Sequence, residues 1–160
     1  MGIDFNICEI FNIADELERN RADFFRRAAE KFSDKKINKT LLEIAEQDKY
    51  NADIFARIKE GFSSIECPST VFDPDNVDYL YLKAMAEDHV CNFEACKNLV
   101  GNETLDQILQ MAIRMEKDAL AFYTGLKNFV AKGSIENVDL IIKEKTKHIG
   151  NLVKKLSEIK

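Results

Sequence analysis

Glycine and proline are scarce in this chain: 160 residues hold only 6 and 2 of them. Average usage is about 7% and 5%, so the scarcity argues against a turn-rich sandwich or barrel and against a low-complexity chain. Long helices are expected instead. There is no basic block either, because 23 Lys and Arg are interleaved with 28 Asp and Glu, for a formal net charge of -5. That balance disfavours nucleic acid as a partner. No apolar run approaches the roughly 20 residues of a membrane span. The opening Met1-Gly2-Ile3-Asp4-Phe5-Asn6 lacks the basic-then-apolar order of a secretory signal. A cytoplasmic protein with no membrane attachment is expected. The 4 cysteines form no C-x-x-C pair, and Cys91 and Cys96 would point about 140° apart on a helix. Cys8, Cys67, Cys91 and Cys96 therefore read as plain thiols.

The composition is 46% hydrophobic and 32% charged. A chain of this size buries roughly 70% of its unfolded surface, enough for one core that needs neither disulfide nor metal to fold. A single domain over residues 1–160 is expected. Apolar spacings of three and four residues mark four long helices and a shorter one. The first runs from Asp4 to Lys31. After a turn at Ser33-Asp34, the second reaches Glu60 and Gly61 stops it. Residues 61–75, with Pro68, Pro74 and a Ser/Thr cluster, read as an irregular connection into the shorter helix, Asn76 to Val100. Thr104 and Gln107 form a T-x-x-Q capping box that opens a helix continuing to Ala131. Gly133 and Ser134 separate it from a last helix filling the rest of the chain. Two helix pairs with short turns, joined by a long crossover, predict an all-α four-helix bundle whose crossover holds the additional helix. A faint repeat relates Glu18–Phe25 to Glu116–Tyr123 at an offset of 98 residues, and the segments around Asp48 and Lys145 at an offset of 97.

Chemistry is suggested by the residues that interrupt the apolar stripes. Glu18 falls between Phe11, Ala14, Ala22 and Phe25 on the inward face of the first helix. Asp48 falls between Leu41, Ile44, Ala52 and Phe55 on the second, with Asn51 beside it. Glu116 lies in the stripe Leu109, Ala112, Ala119, Tyr123. Lys145 and His148 lie in the stripe Val138, Ile141, Ile149, Leu152. Each interruption sits near the middle of its helix, so an antiparallel bundle brings them to one level. Buried carboxylates cost several kcal/mol each and repel one another. A bound cation, the Lys145 ammonium, carboxyl protonation or penetrating water must compensate them.

These residues resemble the ferritin-like superfamily, and most closely the rubrerythrin-like di-iron carboxylate proteins, over essentially the whole chain. Such sites take one Glu from each of two helices and a Glu-x-x-His from each of the other two. Leu17-Glu18-Arg19-Asn20-Arg21-Ala22-Asp23-Phe24-Phe25 and Met115-Glu116-Lys117-Asp118-Ala119-Leu120-Ala121-Phe122-Tyr123 are similar to the single-Glu segments. The two Glu-x-x-His motifs are altered: one reads Asp48-x-x-Asn51, the other Lys145-x-x-His148. The resemblance implies metal ligands Glu18, Asp48, Glu116 and His148, with Asn51 a weak neutral donor. It also implies that Tyr123 hydrogen-bonds a site carboxylate, where Phe25 at the equivalent place cannot. Because Lys145 replaces a metal-bridging carboxylate, at most one iron or manganese ion is expected, with Lys145 displaced toward solvent. In the alternative, no metal binds, Lys145 holds the carboxylates together, and the bundle is a structural or interaction module. His89, in the crossover, reads as a packed or surface residue. No rubredoxin-like C-x-x-C pair follows the last helix, so a non-haem iron oxidoreductase or peroxidase built on this site would need an external electron donor. The resemblance also makes a homodimer plausible.

Overall fold

The helix boundaries follow from local capping chemistry. In a computed structural model, residues 7–61, 80, 84, 99–127 and 135–159 are described. Among them, α1 spans Ile7–Ala29, α2 Lys35–Glu60, α3 Leu105–Leu126 and α4 Ile135–Glu158. Asp34 caps α2, its carboxylate accepting from Lys36 N at 2.8 Å and Ile37 N at 3.0 Å. Thr104 and Gln107 form the expected reciprocal box at the start of α3. Such caps satisfy otherwise orphaned amides and contribute about 1 kcal/mol each. At the end of α2 the Gly61 N–H donates back to the Ile58 carbonyl at 3.1 Å. The expected extensions of α1 to Asp4 and of α3 to Ala131 lie partly outside the described residues. So do most of the crossover helix, His89 and three of the cysteines. Leu99 and Val100, expected to end that helix, lie outside any helix.

Side-chain pairs fix the helix directions. Along α1 and α2, Asn12 meets Lys59, Arg19 meets Asp53 at 3.4 Å and Arg26 meets Glu46 at 3.6 Å, so the two run antiparallel. Lys127 on the turn after α3 meets Asp139 of α4, while deeper in the bundle Glu116 meets Lys145 at 3.0 Å. That pair is antiparallel too. The exposed ion pairs among these are worth about 0–1 kcal/mol each, so they report register more than they hold it. The holding is done by two apolar clusters. One gathers Phe11, Ala14, Leu17, Phe55, Ala119, Phe122, Tyr123, Leu126, Val138 and Ile141. The other gathers Phe25, Ala28, Phe32, Leu41, Ile44, Ile108, Leu109, Ala112 and Leu152 toward the opposite end. In the first, Phe11 and Phe55 pack edge to face at 6.1 Å, an arrangement worth about 1 kcal/mol beyond area burial. Between the clusters lies a layer of buried charge.

Two further features tie the chain together. Gly101 takes φ +95°, and a Cβ there would stand 2.6 Å from the Lys31 carbonyl oxygen, so only glycine lets this strand of backbone lie against the end of α1. Lys31 Nζ donates to the Leu99 carbonyl at 3.2 Å beside it. Cys8, buried in the first cluster, is disulfide-bonded, with a partner outside the described residues. This corrects the expectation of a plain thiol there. Sequence spacing says nothing about cysteines joined through tertiary packing. No described helix is long and apolar enough to cross a membrane.

Candidate metal centre in the charged layer

The 3.6-residue period places one turn of each helix at the same depth, and the polar residues of those turns converge. Glu18, Asp48, Asn51, Glu116 and Lys145 are each fully buried, with Arg21 and His148 nearly so. Lys145 Nζ reaches Glu18 Oε1 and lies 3.0 Å from Glu116 Oε2. It points inward, which corrects the expectation that it is displaced toward solvent: its ammonium lies between two carboxylates and gains more there than it would by leaving them unpaired.

Arg21 is the residue the sequence reading missed. Its Nη2 contacts Glu116 Oε1 and its Nε stands 4.0 Å from Asp48 Oδ2. A signal was present, because Phe11, Ala14, Glu18, Arg21, Phe25 obeys the same three-and-four spacing as the stripe drawn through Ala22. Three carboxylates thus face two bases, Arg21 and Lys145, with His148 neutral, so in formal charges the layer holds one more acid than bases.

His148 completes the group. Its Nδ1 lies 3.6 Å from Asp48 Oδ1 and 3.5 Å from Glu116 Oε1, too far for good hydrogen bonds. Burial is the main force pushing its pKa from 6.5 down to about 4, with Asp48 pulling the other way. The ring is thus neutral near pH 7. Among the described residues, Nδ1 and both Asp48 carboxylate oxygens lack hydrogen-bond partners. One ligand atom each from Asp48, Glu116 and His148 lies within 4.8 Å of the others. Metal–ligand bonds of about 2.1 Å in a tetrahedral arrangement separate ligand atoms by roughly 3.4 Å, close to the 3.6 and 3.5 Å between His148 Nδ1 and the two carboxylate oxygens. This set fits one metal ion. Glu18 lies outside it, its Oε1 engaged by Lys145 and its Oε2 without a hydrogen-bond partner among the described residues.

Around the triad, burial raises the pKa of Glu18 and lowers that of Lys145, with Lys145 and Glu18 each partly offsetting the shift of the other. Asn51 accepts from Gln47 Nε2 at 3.2 Å and its own amide nitrogen is unpartnered among the described residues. Tyr123 is fully buried and its hydroxyl makes no hydrogen bond among the described residues, so the expected bond to a site carboxylate is not formed. Burial, reinforced by the Glu18 charge, pushes its phenol well above the usual range. A surface pocket of about 280 Å³ between α2 and α4 is lined by Glu43, Gln47, His148, Asn151 and Lys155. It brings solvent to the edge of the layer.

The sequence matches no established protein-family profile and no curated protein. Its structure is similar, at a TM-score of 0.57 and 25% identity over 100% of both chains, to a crystal structure from Thermotoga maritima described as a candidate ferritin-like diiron-carboxylate protein. Bundle geometry and this similarity together define the class: the chain is a ferritin-like four-helix protein. Its central layer keeps a buried Asp/Glu/His group compatible with a metal site.

Proposed function

We propose that the protein is a rubrerythrin-like bundle whose degenerate di-iron site holds a single iron or manganese ion between Asp48, Glu116 and His148, the Lys145 ammonium taking the place of a second ion. The observation that carries this is the neutral His148 ring, whose Nδ1 faces Asp48 Oδ1 at 3.6 Å and Glu116 Oε1 at 3.5 Å while Nδ1 and both Asp48 oxygens lack hydrogen-bond partners among the described residues. A histidine and two carboxylates so arranged can hold a cation. When bound, such an ion would supply Lewis-acid and one-electron chemistry at any position the three ligands leave open. Asp48 and Glu116 would neutralise it, His148 would orient toward it, and Lys145 would keep Glu18 compensated. A peroxide-linked role on this site requires an external electron donor. Reductant-dependent peroxide turnover lost in Glu116→Ala is its signature.

A second reading is favoured by the Arg21–Glu116 contact: Arg21 and Lys145 together replace both metals and the bundle is a metal-free interaction module. Elemental analysis of protein from iron- or manganese-supplemented medium decides between them. One ion per chain, lost in His148→Ala, is expected, and Lys145→Glu combined with Asn51→His should raise the content to two. No metal in the parent with binding in the double variant establishes the second reading, and two ions in the parent refutes both.

A further inference from the structure

Glu116 has no spare oxygen. Its Oε2 is engaged by Lys145 at 3.0 Å and its Oε1 by Arg21, and that Oε1 is also the oxygen 3.5 Å from His148 Nδ1. An ion seated between Asp48, Glu116 and His148 would bond an oxygen at about 2.1 Å and so come into contact with the guanidinium that shares it. Two like charges that close, out of water, repel strongly.

One of the two resident cations must therefore withdraw, and the geometry selects which. Lys145 is fully buried and is the one ion-pair partner of Glu18 among the described residues, so its departure would strand that carboxylate. Arg21 has weaker ties: its Nε is 4.0 Å from Asp48 Oδ2 and without a hydrogen-bond partner among the described residues. It is also 4% exposed where Lys145 is 0% exposed, so the head of its long side chain has the shorter way out to water.

We propose that Arg21 is a built-in competitor for the metal position, an affinity-determining residue that holds the triad closed until an ion displaces its guanidinium from Glu116. This rests on the one-ion reading above for its biological meaning, but not for its test. The apparent affinity of a site falls by the fraction of time it is competent. If Arg21 occupies Glu116 nearly always, its removal tightens binding in proportion.

The test is calorimetric titration of chelator-treated protein with Mn²⁺, comparing the parent with Arg21→Gln and Arg21→Lys. Arg21→Gln, which keeps hydrogen-bond donors and loses the charge, should bind Mn²⁺ about 10- to 100-fold more tightly. Arg21→Lys, which keeps the charge, should stay near the parent. Without Mn²⁺, Arg21→Gln should melt at a lower temperature than the parent, and saturating Mn²⁺ should reverse that order. If Arg21→Gln alone does not fold, Arg21→Gln with Glu18→Gln, which leaves the layer's net charge unchanged, carries the same comparison. Equal affinity in parent and variant overturns the role of Arg21 and leaves the one-ion reading standing. Binding in the variant and none in the parent upholds Arg21 as an excluder of metal and overturns the one-ion reading. Absence of binding in every form overturns both.

Discussion

Replacing Lys145 with methionine tests the central electrostatic argument. The substitution keeps a long unbranched side chain, so little cavity opens, and it removes the ammonium that lies between Glu18 Oε1 and Glu116 Oε2. All three side chains are fully buried. Breaking a buried ion pair from one side costs about 3–5 kcal/mol, because the remaining charge has neither water nor partner. With a urea m-value of about 2 kcal/mol/M, the unfolding midpoint should fall by roughly 1.5–2.5 M near pH 7.

The pH dependence of that loss carries its own sign. Burial already raises the pKa of Glu18, and removing the ammonium raises it further. A carboxyl whose folded pKa lies above its unfolded value favours the fold at low pH and loses that advantage as pH rises through the folded value. The deficit of Lys145→Met relative to the parent should therefore shrink on acidification. Adding Glu18→Gln to the variant should recover more than half of it at pH 7. A deficit below about 1 kcal/mol, or one that does not change between pH 7 and pH 5, would refute the claim that Lys145 is the buried counter-ion of this layer.

Two other substitutions probe the histidine and the crossover end. In chelator, His148→Gln should flatten the acid side of the stability profile. Burial depresses the His148 pKa from 6.5 to about 4, so stability present above pH 6.5 is lost as pH falls toward 4, by about 3 kcal/mol in the parent and not in the variant; parallel urea profiles would contradict this. Gly101→Ala should lower stability by about 1–3 kcal/mol, because the new Cβ meets the Lys31 carbonyl oxygen at 2.6 Å in a backbone held at φ +95°. An unchanged thermal midpoint would show that the backbone there moves aside.

Helix identity and polarity of face were legible because they depend on neighbours three and four residues apart. Thr104 and Gln107 announced a capping box that the fold contains. Glu18, Asp48, Glu116, Lys145 and His148 interrupted apolar stripes and are all buried. What the sequence could not give was pairing across helices. Arg21 and Ala22 both satisfy the spacing on α1, and only the approach of α3 decides that Arg21 meets Glu116. The direction of Lys145 was open for the same reason, since a four-carbon stem reaches either solvent or core. Cys8 illustrates the limit most plainly: its disulfide depends on a partner brought near by the fold, and no local spacing encodes that.

The two ion pairs at the centre cross between the halves of the molecule in opposite directions. Arg21 of the first hairpin serves Glu116 of the second, and Lys145 of the second serves Glu18 of the first. The faint repeat at an offset of 98 residues relates Glu18 to Glu116, yet the position equivalent to Arg21 is Ala119 and the position equivalent to Lys145 is Asp48. Glu18 and Glu116 obey the pseudo-symmetry, and Asp48, Arg21 and Lys145 break it. Two copies of the first hairpin docked together would bring four carboxylates against two guanidinium groups. The second hairpin paired with itself would set two ammonium groups against two carboxylates, with neither the Asp48 carboxylate nor the Arg21 fork. Each half thus supplies a counter-ion to the other, and the first hairpin paired with its own copy would have twice as many buried acids as bases. The placement of the two cations adds to the apolar clusters a preference for docking unlike halves, in which Glu18 meets Lys145 and Glu116 meets both bases.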